Sequence, residues 1–165
     1  MSESEILIGL AEIALGIAGF SGVIFALSPP EKRTGNALNA LTTMVVNSVV
    51  VVVQIFFAIF LANIIDDPWG WASGLSLISS LASLPVFFFV IPRVFGRLEL
   101  PFGLAAGMST CSFGQLLVHA VNLPIFGIAM FPVFFVAECG LLITALMTFV
   151  YLVIQLGSTN NEQEN

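Results

Sequence analysis

Charge is what this sequence has least of. Only 8% of its 165 residues are Asp, Glu, Lys or Arg, against about 25% in soluble domains. Basic residues are the scarcest: Lys32, Arg33, Arg93 and Arg97 are all there are. Four cations cannot neutralise a run of phosphates, so no nucleic acid partner is expected. Cysteine is nearly absent too. Cys111 and Cys139 make no disulfide framework, and both fall in apolar segments where a thiol behaves as a small hydrophobe. There is one histidine, His119. The only plausible metal ligands are Glu12, His119, Glu138, Cys111 and Cys139. They lie on three helices with no i,i+4 pair among them, so no metal or cofactor is expected. The N-terminus is acidic where a secretory leader is basic, so the first segment is expected to stay in the mature protein.

What is present is apolar surface. Hydrophobic residues make up 58% of the chain, and the mean hydropathy is +1.07. This composition predicts an all-α integral membrane protein, a bundle of about five transmembrane helices. The number falls to four if one segment is re-entrant or interfacial. Residues 1–157 form a single transmembrane domain, and 158–165 a polar cytoplasmic tail with no packing residues.

The first helix is expected from Glu5 to Leu27, ended by Ser28-Pro29-Pro30. The second runs from about Asn36 to Ile65. Its Val49–Val53 run is β-branched, but in lipid the backbone must satisfy itself and helix wins. Trp69 and Trp71 flank the next turn, as aromatics do at a membrane-water interface. The third helix runs from about Trp69 to Ile91, kinked at Pro85 and ended by Pro92. The fourth, from about Phe102 to Leu123, is rich in Gly, Ser and Thr and is the candidate for a re-entrant segment. The fifth runs from about Phe126 to Leu156, with Pro132 near its start. All four basic residues sit in the first and third loops. The positive-inside rule places those loops in the cytoplasm, the N-terminus outside and the C-terminus inside. Short loops without a cleaved leader suggest a bacterial inner membrane.

Glu5–Leu27 sorts into three stripes on a helical wheel. Glu5, Gly9, Glu12, Gly16, Gly19 and Val23 share one. Ala11, Ala14, Ala18 and Gly22 form a second, expected to make a close helix contact. Ile6, Ile13, Ile17, Phe20 and Ile24 form a third, expected to face lipid. The glycine-carboxylate stripe should then meet another helix or water. Glu12 lies deep in the span, where an ionisable residue costs roughly 2.5–3.5 kcal/mol on insertion scales and needs a partner or a use. It is either a pore-lining or proton-coupling carboxylate, or a protonated carboxyl bonded to a neighbouring amide. In a ring of copies one carboxylate becomes a ring of carboxylates, a device of cation pores.

Other helices carry polar stripes. Asn36, Thr43, Asn47 and Gln54 share a face of helix two, and line a hydrated path or act as interhelical glue. Ser73, Ser76, Ser80 and Ser83 on helix three suit close packing. Ser112, Gln115, His119 and Asn122 lie along one side of helix four. Thr144, Thr148, Tyr151 and Gln155 follow in helix five. Glu138 is either a second functional carboxylate or the partner of His119. A nucleophile needs a base within hydrogen-bond reach, and Ser112 and His119 lie two turns apart, so no enzyme is expected.

Leu10-Ala11-Glu12 in a glycine-bearing first helix resembles the first helix of small multidrug resistance transporters. That resemblance implies a coupling role for Glu12. In size, number of spans and lack of a soluble domain the chain also resembles the membrane effectors of bacterial antiphage defence such as Hailong systems. This implies a gated oligomeric pore whose opening depolarises the cell. No internal repeat is visible, and one 165-residue chain is small for a pathway of its own. The favoured expectation is therefore a homo-oligomeric ion channel in the lipid bilayer, open to a regulatory ligand or partner protein. Its lining and coupling candidates are Glu5, Glu12, Gly16, Gly19, Asn47, Gln54, His119 and Glu138. The alternatives are a dimeric proton-coupled transporter using Glu12, or a non-catalytic membrane subunit of a larger complex.

Overall fold

The computed structural model describes residues 2–127 and 129–157. Five helices are long and apolar enough to cross a membrane: α1 (Glu3–Leu27), α2 (Gly35–Ala62), α3 (Trp69–Phe95), α4 (Phe102–Val121) and α5 (Phe131–Gly157). The described residues contain no strand. The segment from Phe102, the candidate for re-entry, is one helix of 20 residues, about 30 Å at 1.5 Å per residue. The expected polar tail, 158–165, lies outside the described residues.

α1 starts two residues earlier than its apolar pattern because of a capping box. The Glu5 amide donates to Ser2 Oγ at 3.2 Å, and the Ser2 amide donates to Glu5 Oε2 at 2.6 Å. Two amides that the helix cannot satisfy find partners in this way. The far end of α1 is held by Arg33, which donates to the carbonyls of Ser28 at 2.9 Å and Ala26 at 2.6 Å. The side chain of Thr34 caps α2 by accepting from the Ala37 amide at 3.2 Å.

Two boundaries differ most from the sequence reading. Pro92 does not end α3. The helix widens into a π-helical turn over Val86–Val90, after Pro85, and the Ile91 amide donates to the Val86 carbonyl five residues back. The final piece, Ile91–Phe95, then restarts with Pro92 in its first turn, where a missing N–H costs nothing. Gly96, at φ +81°, turns the chain out. The last helix begins at Phe131 rather than Phe126. A short turn over Pro124–Phe126 closes on Gly127 at φ +67° before the helix starts.

α2 and α5 form the central pair. α1 packs against both, α4 packs on α5 and α3, and α3 packs on α2. The core has two apolar clusters. One joins Leu7, Leu10, Ala11 and Ala14 of α1 to Val51, Ile55 and Ala58 of α2, Trp69 and Ala72 of α3, and Phe134 and Leu141 of α5. The other joins Ala37, Ala40 and Met44 of α2 to Ala145, Leu152 and Leu156 of α5. Small residues at these contacts let helix axes approach closely, which drives packing in lipid where tails are as apolar as leucine.

Hydrogen bonds tie the two ends. At the basic-loop end, Asn36 Nδ2 donates to Tyr151 Oη at 2.7 Å, and the Glu99 amide donates to Asn36 Oδ1 at 3.0 Å. Tyr151 Oη donates to the Glu99 carbonyl, and Asn39 Nδ2 to the Gly96 carbonyl. At the opposite end Asn122, fully buried, donates to Ser73 Oγ at 2.8 Å and to the Met130 carbonyl at 3.2 Å. It accepts from the Met130 amide at 2.8 Å.

Candidate functional sites inside and outside the bundle

The residues singled out from the sequence fall into two groups that point in opposite directions. Asn47, Gln54, His119 and Glu138 are buried inside one protomer. Glu12, Gly16 and Gly19 are exposed on the outside. Glu5 is exposed as well, and its carboxylate is already used in the N-terminal cap.

The outer site is a stripe on α1. Ala11 and Ala14 turn inward and are buried, whereas Ala18 and Gly22 are half-buried and a Cβ at Gly22 would meet no atom within 4 Å, so only the first half of the alanine stripe is a packing face. The isoleucine face is mixed: Ile13 and Phe20 are exposed, whereas Ile6, Ile17 and Ile24 are half-buried. The glycine-carboxylate stripe is left uncovered. A Cβ placed at Gly9, Gly16 or Gly19 would meet no atom within 4 Å. These glycines are therefore not needed for packing within the chain. Glu12 is the tenth residue of the helix, about 14 Å along its axis, near the middle of a span. In a lone protomer it would meet hydrocarbon.

The inner site is a cluster towards the Asn122 end of the bundle, with His119 two residues before the end of α4 and Glu138 seven after the start of α5. His119 of α4 and Glu138 of α5 are both fully buried, with Nε2 and Oε1 3.6 Å apart. This is an ion-pair distance, longer than a good hydrogen bond. Ser76 of α3 donates to the same Glu138 oxygen at 3.1 Å. Gln54 of α2 closes the group from behind. Its Nε2 donates to the Ser76 carbonyl at 2.9 Å, to Ser79 Oγ at 2.6 Å and to Ser80 Oγ at 3.0 Å. The ring of Phe134 lies 5.6 Å from that of His119. The cluster is polar but under-satisfied. Both ring nitrogens of His119, Glu138 Oε2, Gln54 Oε1 and Gln115 Oε1 are buried without a hydrogen-bond partner among the described residues. Buried polar groups are seldom left so.

A cavity of about 270 Å³ lies beside the cluster, lined in part by Thr43, Asn47, Ser80, Ser83, Ser112 and Gln115. It extends from Leu100, in the basic loop, to Leu141 at mid-bundle, with the exposed Phe88 and Phe113 on its wall. It is just below the usual size range of ligand pockets, about 300–1,000 Å³.

Asn47 thus lines a cavity within the protomer, and Gln54 turns to the serines of α3. The serines of helix three do more than allow close packing. Ser73 and Ser76 bind Asn122 and Glu138 directly. Nothing in the sequence singled out Ser76 from its neighbours, because the choice depends on which helix α3 meets. Ser112 lines the cavity, while His119 lies beyond it against Glu138. Among the described residues no three His, Cys, Asp or Glu side chains converge in a metal-binding group. Cys111 and Cys139 are free thiols, each half-buried. Compared with known proteins, the chain matches no family model, no curated sequence and no solved structure.

Proposed function

We propose that the protein is a homo-oligomeric ion channel whose pore is lined by the glycine-carboxylate stripe of α1, with Glu12 as the selectivity group. One observation carries the reading: a mid-span carboxylate sits on the uncovered outside of the bundle, in a stripe of glycines with open space at each Cβ position. A carboxylate at that depth is costly against lipid. Closing copies around a rotation axis removes the cost by facing the stripe to water, and it turns Glu12 into a ring that favours cations. Gly9, Gly16 and Gly19 then keep the lumen open at the levels between. The membrane is a bacterial inner membrane, with Lys32, Arg33, Arg93 and Arg97 on the cytoplasmic side and the N-terminus outside. A gated pore of this kind would depolarise the cell on opening, as an effector responding to a regulatory ligand or partner protein.

The test is single-channel recording from purified protein in a planar bilayer, beside Glu12→Gln. The proposal predicts discrete current steps whose cation preference falls in the variant. Steps indifferent to the substitution would remove Glu12 from the pore. A silent bilayer, with gradient-driven uptake abolished by Glu12→Gln, would replace the channel with a transporter.

A further inference from the structure

The inner cluster has a use that the α1 pore does not call on. Its four side chains stand in register behind the cavity. Ser80 and Gln115 line the cavity, as do Val50 and Leu141. One helical turn further along the same four helices come Ser76, His119, Gln54 and Glu138, all buried. Each step is three or four residues, and all four steps lead towards the same end of the bundle, because neighbouring helices run antiparallel. The floor of the cavity is therefore the roof of the cluster.

The groups at that boundary are short of partners. Gln115 Oε1 and Gln54 Oε1 are unpaired and buried, and both ring nitrogens of His119 lack a hydrogen bond. Ser80 Oγ receives the Gln54 amide on one side and faces the cavity on the other. The cavity, about 270 Å³ in volume, is roomy enough for several waters along its polar side. Most of its wall is apolar, and Thr43, Asn47, Ser80, Ser83, Ser112 and Gln115 supply the hydroxyl and amide partners that waters on that side need. Leu100, at the end of the basic loop, lines one end of the cavity, and the exposed Phe88 and Phe113 line its outer side.

We propose that His119 and Glu138 form a proton-binding site within each protomer, loaded through water in this cavity. The pair holds one proton between them, as imidazole with carboxylic acid or as imidazolium with carboxylate. In both forms its net charge is zero, the condition a buried pair in a membrane favours. A proton released from Glu138 passes to cavity water and leaves the carboxylate beside neutral imidazole, held by the Ser76 hydroxyl. Uptake reverses the step. Among the described residues the ionisable group close enough to feel the pair is the Cys139 thiol, next to Glu138 on α5. α2 presents Gln54 and α3 presents Ser76. On α4 the remaining ionisable side chain is Cys111, two turns back from His119. On α5, Cys139 packs into the apolar cluster that contains Leu7 and Leu10 of α1. Glu12 and Glu5 of α1 are exposed on the outside.

The site is independent of the pore reading and is tested without a current. Protein in lipid nanodiscs is studied by infrared spectroscopy in H2O and D2O across a pH series. A carboxylic C=O band should titrate, vanish in Glu138→Gln and persist in Glu12→Gln. In His119→Gln its midpoint should move by about one pH unit or more, the scale on which one charge acts on a near neighbour. Ser112→Phe, which plugs the cavity, should slow the H-to-D shift of the band several-fold and leave the band in place. Glu138→Asp, which should displace the band without removing it, serves if Glu138→Gln does not fold. The proposal is overturned if no titrating band belongs to Glu138. It is equally overturned if the plug leaves the exchange rate unchanged, because the proton would then arrive by another route, or if a lipid chain fills the cavity and the wild type does not exchange.

Discussion

The inside of this bundle and the outside of α1 spend their polar residues differently. Inside, Ser73, Ser76, Gln54 and Asn122 bind groups on other helices of the same chain, at 2.6–3.1 Å in the shortest bonds. Outside, Glu12 lies among glycines whose Cβ positions open on empty space. Two small-residue stripes on one helix teach the same point. Ala11 and Ala14 are buried against α2 and α5, so their smallness serves the protomer. Gly16 and Gly19 serve nothing within it. Inner polar residues should therefore govern protomer stability, and outer ones assembly and conduction.

The sharpest break of that contrast compares the two carboxylates. Glu138→Ala leaves His119, Ser76 and a void in the core, and should cost about 3–5 kcal/mol. Glu12→Gln should change protomer stability by no more than about 0.5 kcal/mol. Equilibrium unfolding in mixed micelles measures both. Equal costs would erase the distinction between inside and outside.

Glycines extend the contrast to packing. A Cβ at Gly70 would lie 2.8 Å from Pro124 Cγ and 3.0 Å from Ala129 Cβ. Gly70→Ala should cost about 1–3 kcal/mol through overpacking. Gly16→Ala meets open space and should leave the protomer neutral, or more stable by up to about 1 kcal/mol, while weakening the assembly. Thermal melts beside size-exclusion profiles separate the two effects. A destabilised Gly16→Ala protomer would show a contact on the face that is read as free.

A smaller effect tests the inner ladder. Gln54→Leu removes a donor shared by Ser76, Ser79 and Ser80. Bonds of this kind are worth about 1–2 kcal/mol in model membrane helices. Amide exchange in α3 near Ser80 should quicken, and that in α1 should not. The smallest effect belongs to the exposed end of α1. Arg33→Ala removes two bonds to helix-terminal carbonyls, worth about 0.3–1 kcal/mol, and should show as faster exchange at Leu27 and Ser28 alone.

The sequence made the architecture readable for a physical reason. Lipid leaves the backbone one economical conformation, so hydropathy alone predicts five helices, and the wheel of α1 separates the packing stripe at Ala11 and Ala14 from the stripe at Gly16. The pairing of His119 with Glu138 was one of two options visible, because few ionisable residues were there to pair. What could not be read was local geometry that depends on neighbours. Pro92 looks like a stop, yet the π-helical turn over Val86–Val90 absorbs it. The start of α5 moved to Phe131 because Gly127 takes a positive φ after Pro124. Ser76 and Ser83 are alike on the wheel of α3, and only the approach of α5 makes one of them a partner of Glu138. Asn47 and Gln54 were visible as a stripe, but which side of the protomer they faced was set by α3 and α5 packing on α2.

The central claim is that the glycine-carboxylate face of α1 is where copies meet around water. Cysteine cross-linking in native membranes tests it most directly. With Cys111 and Cys139 replaced by Ser, a single cysteine is placed at Gly16 on that face or at Leu117 on the exposed side of α4. The account predicts that Gly16→Cys gives disulfide-linked pairs of copies on mild oxidation, and that Leu117→Cys stays monomeric. Cross-links at Leu117 with none at Gly16 would place the seam on α4 and leave Glu12 outside the pore.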